Sequence, residues 1–240
     1  YTAAHGKDLM RSKDPWFMGV TLQYGPDGSV FVLDWSDTGE CHSVRNTRRE
    51  TGRIYKISFG KPKHMPVDIG KLSNEKLVEL QLHRNDWFVR HARRVLQERL
   101  AAGQDLDDVV TSLYSQFRTQ ADVPKKLRAL WALQTIGRLS DHFLLLQLQD
   151  ENEYIRAWAV RLLCEDNQVS PEAMTQFKQL ARDGDSALVR MHLASCLQRL
   201  TLPNRWELAD ALLSRQDDAD DDNIPLLAWY AIEPLVAIDR

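Results

Sequence analysis

The sequence predicts a mainly α-helical protein: a solenoid of stacked helix pairs, preceded by a small antiparallel β segment. One observation is self-similarity, because segments with a polar cap, an apolar residue and an amphipathic helix recur roughly every 28–38 residues. The other is a change in the spacing of the apolar residues, because within the first 60 residues apolar and polar residues alternate as they do in strands. The clearest copies start at Asn85, Asn152 and Ser186, with weaker copies at Pro124 and Asp222.

Residues 1–60 are predicted to form the β segment. Strands are expected at 17–23, 29–35 and 53–59, and Gly25-Pro26-Asp27-Gly28 between the first two has the composition of a tight turn. Residues 61–72, which contain Pro and Gly, are predicted to be a linker.

Residues 73–240 are predicted to be helical repeats. Ser73 is a candidate N-cap, and Pro171 after Ser170 is a typical first helical residue. Because an isolated helix pair cannot bury its apolar face, the pairs are expected to stack. The predicted helices are 73–83, 86–101, 105–117, 124–138, 140–149, 153–165, 171–183, 187–200, 204–214 and 224–237.

Composition limits the classes of function. The chain has 240 residues and a net charge of −3, so no overall charge attracts it to nucleic acid or anionic membranes. No run of about 18 apolar residues is present, so no membrane span is predicted. The chain begins at Tyr1 rather than Met, and we expect it to be a piece of a longer protein.

Three cysteines are too few and too scattered for a disulfide framework. Cys164 and Cys196 lie on apolar helix faces and are predicted to be buried as small hydrophobic residues. No metal-binding spacing of histidine or cysteine occurs, and no nucleophile–base motif occurs.

The first 60 residues carry a connected set of motifs that resembles a known family. The motifs are His5-Gly6-Lys7-Asp8, Ser12-Lys13-Asp14-Pro15-Trp16-Phe17, Gly25-Pro26-Asp27-Gly28, the run from Asp34 to His42, and Thr51-Gly52-Arg53-Ile54-Tyr55-Lys56-Ile57. Together they resemble the last β-propeller blade of the large membrane-bound dehydrogenases of planctomycetes and related bacteria, in which a propeller is followed by HEAT-like repeats and a haem-c domain.

The resemblance implies that residues 73–240 are HEAT-like repeats and that the parent protein is periplasmic or associated with the cell envelope. It implies haem c elsewhere in the parent and allows a quinone there as well, whereas no cofactor is expected in this chain. The implied partners are other domains of the parent chain, another protein or a glycan.

The strongest candidate site in the β segment is a loop of ligand-type side chains. Asp34, Asp37, Glu40 and His42 lie close together after a predicted strand, and such groups could border a cofactor. The simpler interpretation is turn chemistry, with the carboxylates bound to nearby backbone amides. We predict no catalytic residue and no metal site.

Several repeated or clustered residues admit two interpretations. Arg90, Arg128, Arg156 and Arg190 could form a cationic stripe, but are predicted to bind the cap or loop of the next repeat. The aspartates of 217–222 are predicted to be a solvated loop that favours the following helix N-terminus. Trp131, Trp158 and Trp229 are predicted to pack in the core.

We therefore predict a non-catalytic scaffold or protein-interaction module within a larger dehydrogenase. One alternative is a sugar or alcohol dehydrogenase active site, with the Asp34–His42 loop lining a cofactor mouth. A second is a free-standing HEAT-like binder of protein or nucleic acid, to which the arginines around 84–99 would contribute, although the net charge argues against nucleic acid.

Overall fold

The structure, a computed structural model, describes residues 3–35, 50–62 and 66–236. The chain divides into two compact units, residues 1–96 and 97–240. The first contains the sheet and the second contains most of the helical repeats.

The sheet of the first unit has three antiparallel strands in the order of the chain. They are β1 (Gly19–Tyr24), β2 (Val30–Asp34) and β3 (Ile54–Ile57). Tyr24 pairs with Val30 across the predicted turn, where Gly28 has a φ of +78°. A side chain at that φ would be strained, which explains the glycine. The predicted antiparallel sheet is confirmed.

Two helices follow the sheet in the first part of the chain: α1 (Asn74–Glu79) and α2 (Asp86–Ala101). The Ser73 hydroxyl accepts from the backbone N–H of Lys76, as predicted for an N-cap. Asn85 binds the sheet of the same unit, since its side-chain amide donates to the carbonyl oxygens of Gly25 and Pro26 at 3.0 and 3.2 Å.

The second unit consists of helix pairs. The helices are α3 (Asp107–Thr119), α4 (Val123–Thr135), α5 (Asp141–Gln147), α6 (Glu153–Leu163), α7 (Pro171–Asp183), α8 (Ala187–Cys196), α9 (Leu202–Leu213) and α10 (Ile224–Val236). We call α3, α5, α7 and α9 the first helices, and α4, α6, α8 and α10 the second helices. The second helices stack, since α6 packs on α8 and α8 packs on α10, and among the first helices α7 packs on α9.

The predicted helices are confirmed, because each lies within a few residues of an observed one. The main differences are at carboxyl ends, where Leu197–Arg199, for example, forms a 3₁₀ turn after α8. Side-chain caps define several amino ends: the Ser170 hydroxyl accepts from Ala173 N–H, and Pro171 is the first residue of α7. Leu130, Ile155, Phe177 and Leu193 are among the side chains fully buried between helices.

A buried ion pair joins the second helix α8 to the loop that precedes α10. The Arg190 guanidinium donates from Nε and Nη2 to the two carboxylate oxygens of Asp218, at 2.5 and 2.7 Å. Both side chains are only 5% exposed, and Nη1 donates to the carbonyl oxygen of Gly184. The hydrogen bonds to Asp218 raise the pKa of Arg190. The pair connects α8 to the loop that leads into α10.

Arg156 makes the equivalent connection one repeat earlier. Its Nη1 donates to the carbonyl oxygens of Asp150 and Glu151, and its Nη2 donates to Asp185 Oδ1 at 2.8 Å, just before α8. The prediction that such arginines bind the loop of the next repeat is confirmed for Arg156 and Arg190. At the equivalent step from α4 to α6, Lys126 Nζ lies 3.7 Å from Asp150 Oδ2.

The acidic run at 217–222 differs from the predicted solvated loop. Asp218 is buried because it neutralises Arg190, so the loop is held against α8. Asp221 does support the amino end of α10, since its Oδ1 accepts from the N–H groups of Ile224 and Asn223, and these bonds lower its pKa.

We expect Arg190→Ala to lower the free energy of unfolding by about 3–5 kcal/mol, because it leaves Asp218 buried without its cation. Arg156→Ala is expected to cost about 1–3 kcal/mol, mainly through two lost carbonyl hydrogen bonds. Urea unfolding followed by circular dichroism measures both changes.

Arg182→Ala is the matched control. Arg182 also faces an aspartate, Asp210, but at 3.9 Å and with both side chains more than half exposed, so its loss is expected to cost less than about 0.5 kcal/mol. If Arg190→Ala unfolded at the same urea concentration as Arg182→Ala, the buried pair would not stabilise the stack.

Candidate functional site

Asp34, the described member of the predicted cofactor loop, lies buried at the end of β2. Its Oδ1 accepts from the Met18 N–H at 3.0 Å, and its Oδ2 lies 3.8 Å from Arg53 Nε. The carboxylate thus joins β2 to the segment before β1 and to the residue before β3. The amide that it binds lies 16 residues earlier in the chain, so this is a contact across the sheet rather than a local turn.

Asp37, Glu40 and His42 lie outside the described residues, so the role of this loop in cofactor binding stays a prediction. In the part of the chain that the structure describes, no three His, Cys, Asp or Glu side chains are grouped so that they could hold a metal ion.

The basic segment around α2 is engaged within its own unit. Arg90 Nε lies 3.3 Å from Asp86 Oδ2, and the Arg90 guanidinium lies over the Tyr24 ring at 5.2 Å. The Trp87 ring stacks on His91, with ring centroids 3.9 Å apart. These contacts reduce what Arg90 and Trp87 can offer to a phosphate or a base.

The second helices carry a continuous set of exposed or half-buried aromatic, cationic and apolar side chains. Trp131 of α4 meets Trp158 of α6 edge to face, with ring centroids 4.9 Å apart, and the Arg161 guanidinium lies over the Trp158 ring at 4.8 Å. We call this set the second-helix face. It consists of Trp131, Trp158, Arg161, Met191, His192 and Leu227.

The predicted burial of three tryptophans is therefore only partly correct. Trp131 and Trp158 are half-buried against each other, whereas Trp229 is 49% exposed. The three tryptophans occupy comparable positions in their repeats. In α4 and α6 this position brings the two rings together, whereas on α10 it leaves about half of the Trp229 side chain exposed.

A cavity of about 360 Å³ lies in the second-helix face, between α6, α8 and the start of α10. Its polar lining comes from Arg161, His192, Ser195, Arg199 and Asn223. Apolar lining comes from side chains that include Met191 and Leu227. The cavity therefore combines hydrogen-bond donors with apolar walls, which is the usual lining of a binding pocket.

The lining of this cavity is cationic. Two guanidinium groups, those of Arg161 and Arg199, line it, and none of the lining residues that the structure describes is a carboxylate. Arg199 Nη1 is 3.6 Å from Glu165 Oε2, but both side chains are more than a third exposed, so solvent weakens this attraction. Within the described residues, Arg161 stacks on Trp158 and has no carboxylate partner.

His192 is held in its neutral form by this environment. Burial lowers the pKa of His192, and the positive charge of Arg161 lowers it further. At neutral pH the ring is therefore uncharged.

The two described cysteines are buried and free, as predicted. The Cys196 thiol points to the Val160 carbonyl oxygen at 3.6 Å. A hydrogen bond with Cys196, together with burial, raises the pKa of Cys164. The Cys164 thiol thus stays protonated and is not an activated nucleophile.

The sequence interpretation missed Arg161 and His192. Arg161 follows Trp158 by three positions, so the two side chains share one side of the helix. That spacing is visible in the sequence, but the approach of His192 from α8 depends on how the helices stack.

Residues 142–231 match a family model described as HEAT repeats. The matched range includes most of α5 and all of α6 to α9, and it ends within α10, which confirms the HEAT-like prediction for this region. No curated protein and no solved structure matches the chain. Stacked repeats of this kind present extended binding surfaces, so the region is suited to protein interaction.

No helix among the described residues is long and apolar enough to cross a membrane.

We expect Arg161→Gln to raise the pKa of His192, because the substitution removes a nearby positive charge. Titration of the imidazole signals by nuclear magnetic resonance measures the change. A His whose pKa is lowered by folding takes up a proton more readily in the unfolded chain. This difference lowers the free energy of unfolding as the pH falls below about 6.5. The variant should lose less stability than the parent over that range.

Arg182→Gln removes an arginine of α7 and serves as the control, with no change expected in the His192 titration. An unchanged titration in Arg161→Gln would show that Arg161 does not act on His192.

Proposed function

We propose that the chain is a non-catalytic scaffold whose second-helix face binds a protein partner. The observation that carries the proposal is the composition of this face. It joins Trp158, Arg161 and Met191 in one half-exposed surface, and Trp, Arg and Met are enriched at protein interfaces relative to other surfaces.

The rigid stacking of the second helices supports this proposal. Arg156 and Arg190 bind the loops of the following repeats, so α6, α8 and α10 hold their side chains in a defined arrangement. A preorganised surface loses less conformational entropy when a partner binds.

We further propose that the partner belongs to an envelope-associated dehydrogenase, either another domain of the same protein or a separate redox protein. The resemblance of residues 1–60 to a propeller blade is the basis for this context. The sheet is compatible with it, because Val20, Leu22 and Ile54 are each more than 60% exposed and would be protected by further β structure. Haem c and any quinone would then be carried by the remaining parent protein.

A photo-crosslinking amino acid at Met191, introduced in the host cell, tests the scaffold proposal. The expected adduct is a specific protein, and peptides from a dehydrogenase in that adduct would support the proposed context. Leu146 is the matched control position, since it is an exposed apolar residue on the first helix α5. It is expected to give no enriched adduct.

Binding of the purified partner should then weaken at least tenfold in Trp158→Ala, because the ring contributes a large half-exposed area and supports Arg161. Calorimetry measures the affinity, with Leu146→Ala as the control. Equal adducts from both positions, or full affinity in Trp158→Ala, would contradict a partner site on the second-helix face.

A further inference from the structure

The cavity between α6, α8 and α10 is the part of the second-helix face with the most specific chemistry. Its volume of about 360 Å³ suits one or a few side chains rather than a whole helix. Among the described residues, its lining presents two guanidinium groups and neutral donors such as Ser195 and Asn223, but no carboxylate. A negatively charged group would complement this lining.

The arginines of the neighbouring repeats show what such a group can be. Arg156 and Arg190 each bind an aspartate supplied by the following loop, and Arg190 does so with two parallel hydrogen bonds. Arg161 lies on the same helix as Arg156, but its guanidinium lies over the Trp158 ring and, within the described residues, has no carboxylate partner. Its fork of N–H donors is therefore available to a carboxylate from outside the chain.

The remaining lining distinguishes an acidic side chain from a free anion. Met191 and Leu227 form apolar walls, and the indole of Trp158 lies beneath the Arg161 guanidinium. A free anion such as phosphate would use only the cationic part of this cavity. A peptide side chain has methylene groups for the apolar walls and a carboxylate for the arginines.

We propose that this cavity receives a glutamate or aspartate side chain of the protein segment that docks on the second-helix face. Arg161 makes a two-point contact with the carboxylate, and Arg199 adds a second positive charge. The inference rests on the scaffold function proposed above, and it identifies the chemistry of the partner at that face.

The protonation of His192 supports this assignment. In the free protein, burial and Arg161 favour its neutral form. A bound carboxylate would face Arg161, Arg199 and His192 together, and its negative charge would offset the repulsion from Arg161. Binding should therefore raise the pKa of His192.

An array of 12-residue peptides tests the proposal on the 240-residue chain. Each peptide carries one glutamate among Leu, Trp and neutral residues, and a matched peptide carries glutamine in its place. For each glutamate peptide that binds, we expect a dissociation constant at least tenfold lower than that of its matched glutamine peptide. In Arg161→Gln this preference should disappear, while Arg182→Gln should retain it. A binding glutamate peptide should also raise the pKa of His192.

Three outcomes would overturn the inference, in distinguishable ways. If peptides bind and Trp158→Ala weakens them, but glutamate and glutamine peptides bind equally, the scaffold function stands and the carboxylate site is wrong. If phosphoserine peptides or inorganic phosphate bind and glutamate peptides do not, the cavity is a phosphate site. If no peptide binds and Met191 gives no specific adduct in cells, the proposed function fails together with the site.

Discussion

The second unit depends on one physical constraint: a cation buried between repeats must find an anion in the next repeat. Arg190 meets this constraint with Asp218, in a pair that is 5% exposed on both sides, and each of the three guanidinium nitrogens donates a hydrogen bond. Hydrophobic packing between helices is non-directional, so by itself it permits sliding. The two parallel hydrogen bonds of the ion pair are directional, and they hold the loop before α10 against α8.

The cavity of the second-helix face follows from that constraint. Asn223 and Leu227 come from the start of α10, and Asp218 lies just before them in the chain. The attachment of the loop at 217–222 to Arg190 therefore adds to the packing of α10 on α8 in holding these two residues near His192. Asp221 adds to the effect, because its carboxylate caps the same helix end. Structural and binding residues are thus only a few positions apart in this loop.

Much of the fold could be predicted from the sequence, because its determinants are local. Caps such as Ser170, the first-position Pro171 and the period of apolar residues depend on neighbours a few positions away. The contacts that define the site are not local. The run of five aspartates gives no local signal that Asp218 is the one buried, since its partner lies 28 residues earlier. Nor does the repeat pattern predict that Trp229 is exposed while Trp158 packs on Trp131.

Arg156 and Arg190 differ from Arg161 in what they bind. The chain supplies a carboxylate to Arg156 and to Arg190, so these two arginines hold the stack together, and their replacement should affect stability first. The Arg161 guanidinium lies over the Trp158 ring instead, and within the described residues it has no carboxylate partner. Because a guanidinium satisfied by a neighbouring carboxylate has little left to offer, Arg161 is a donor with which this surface can recognise a partner.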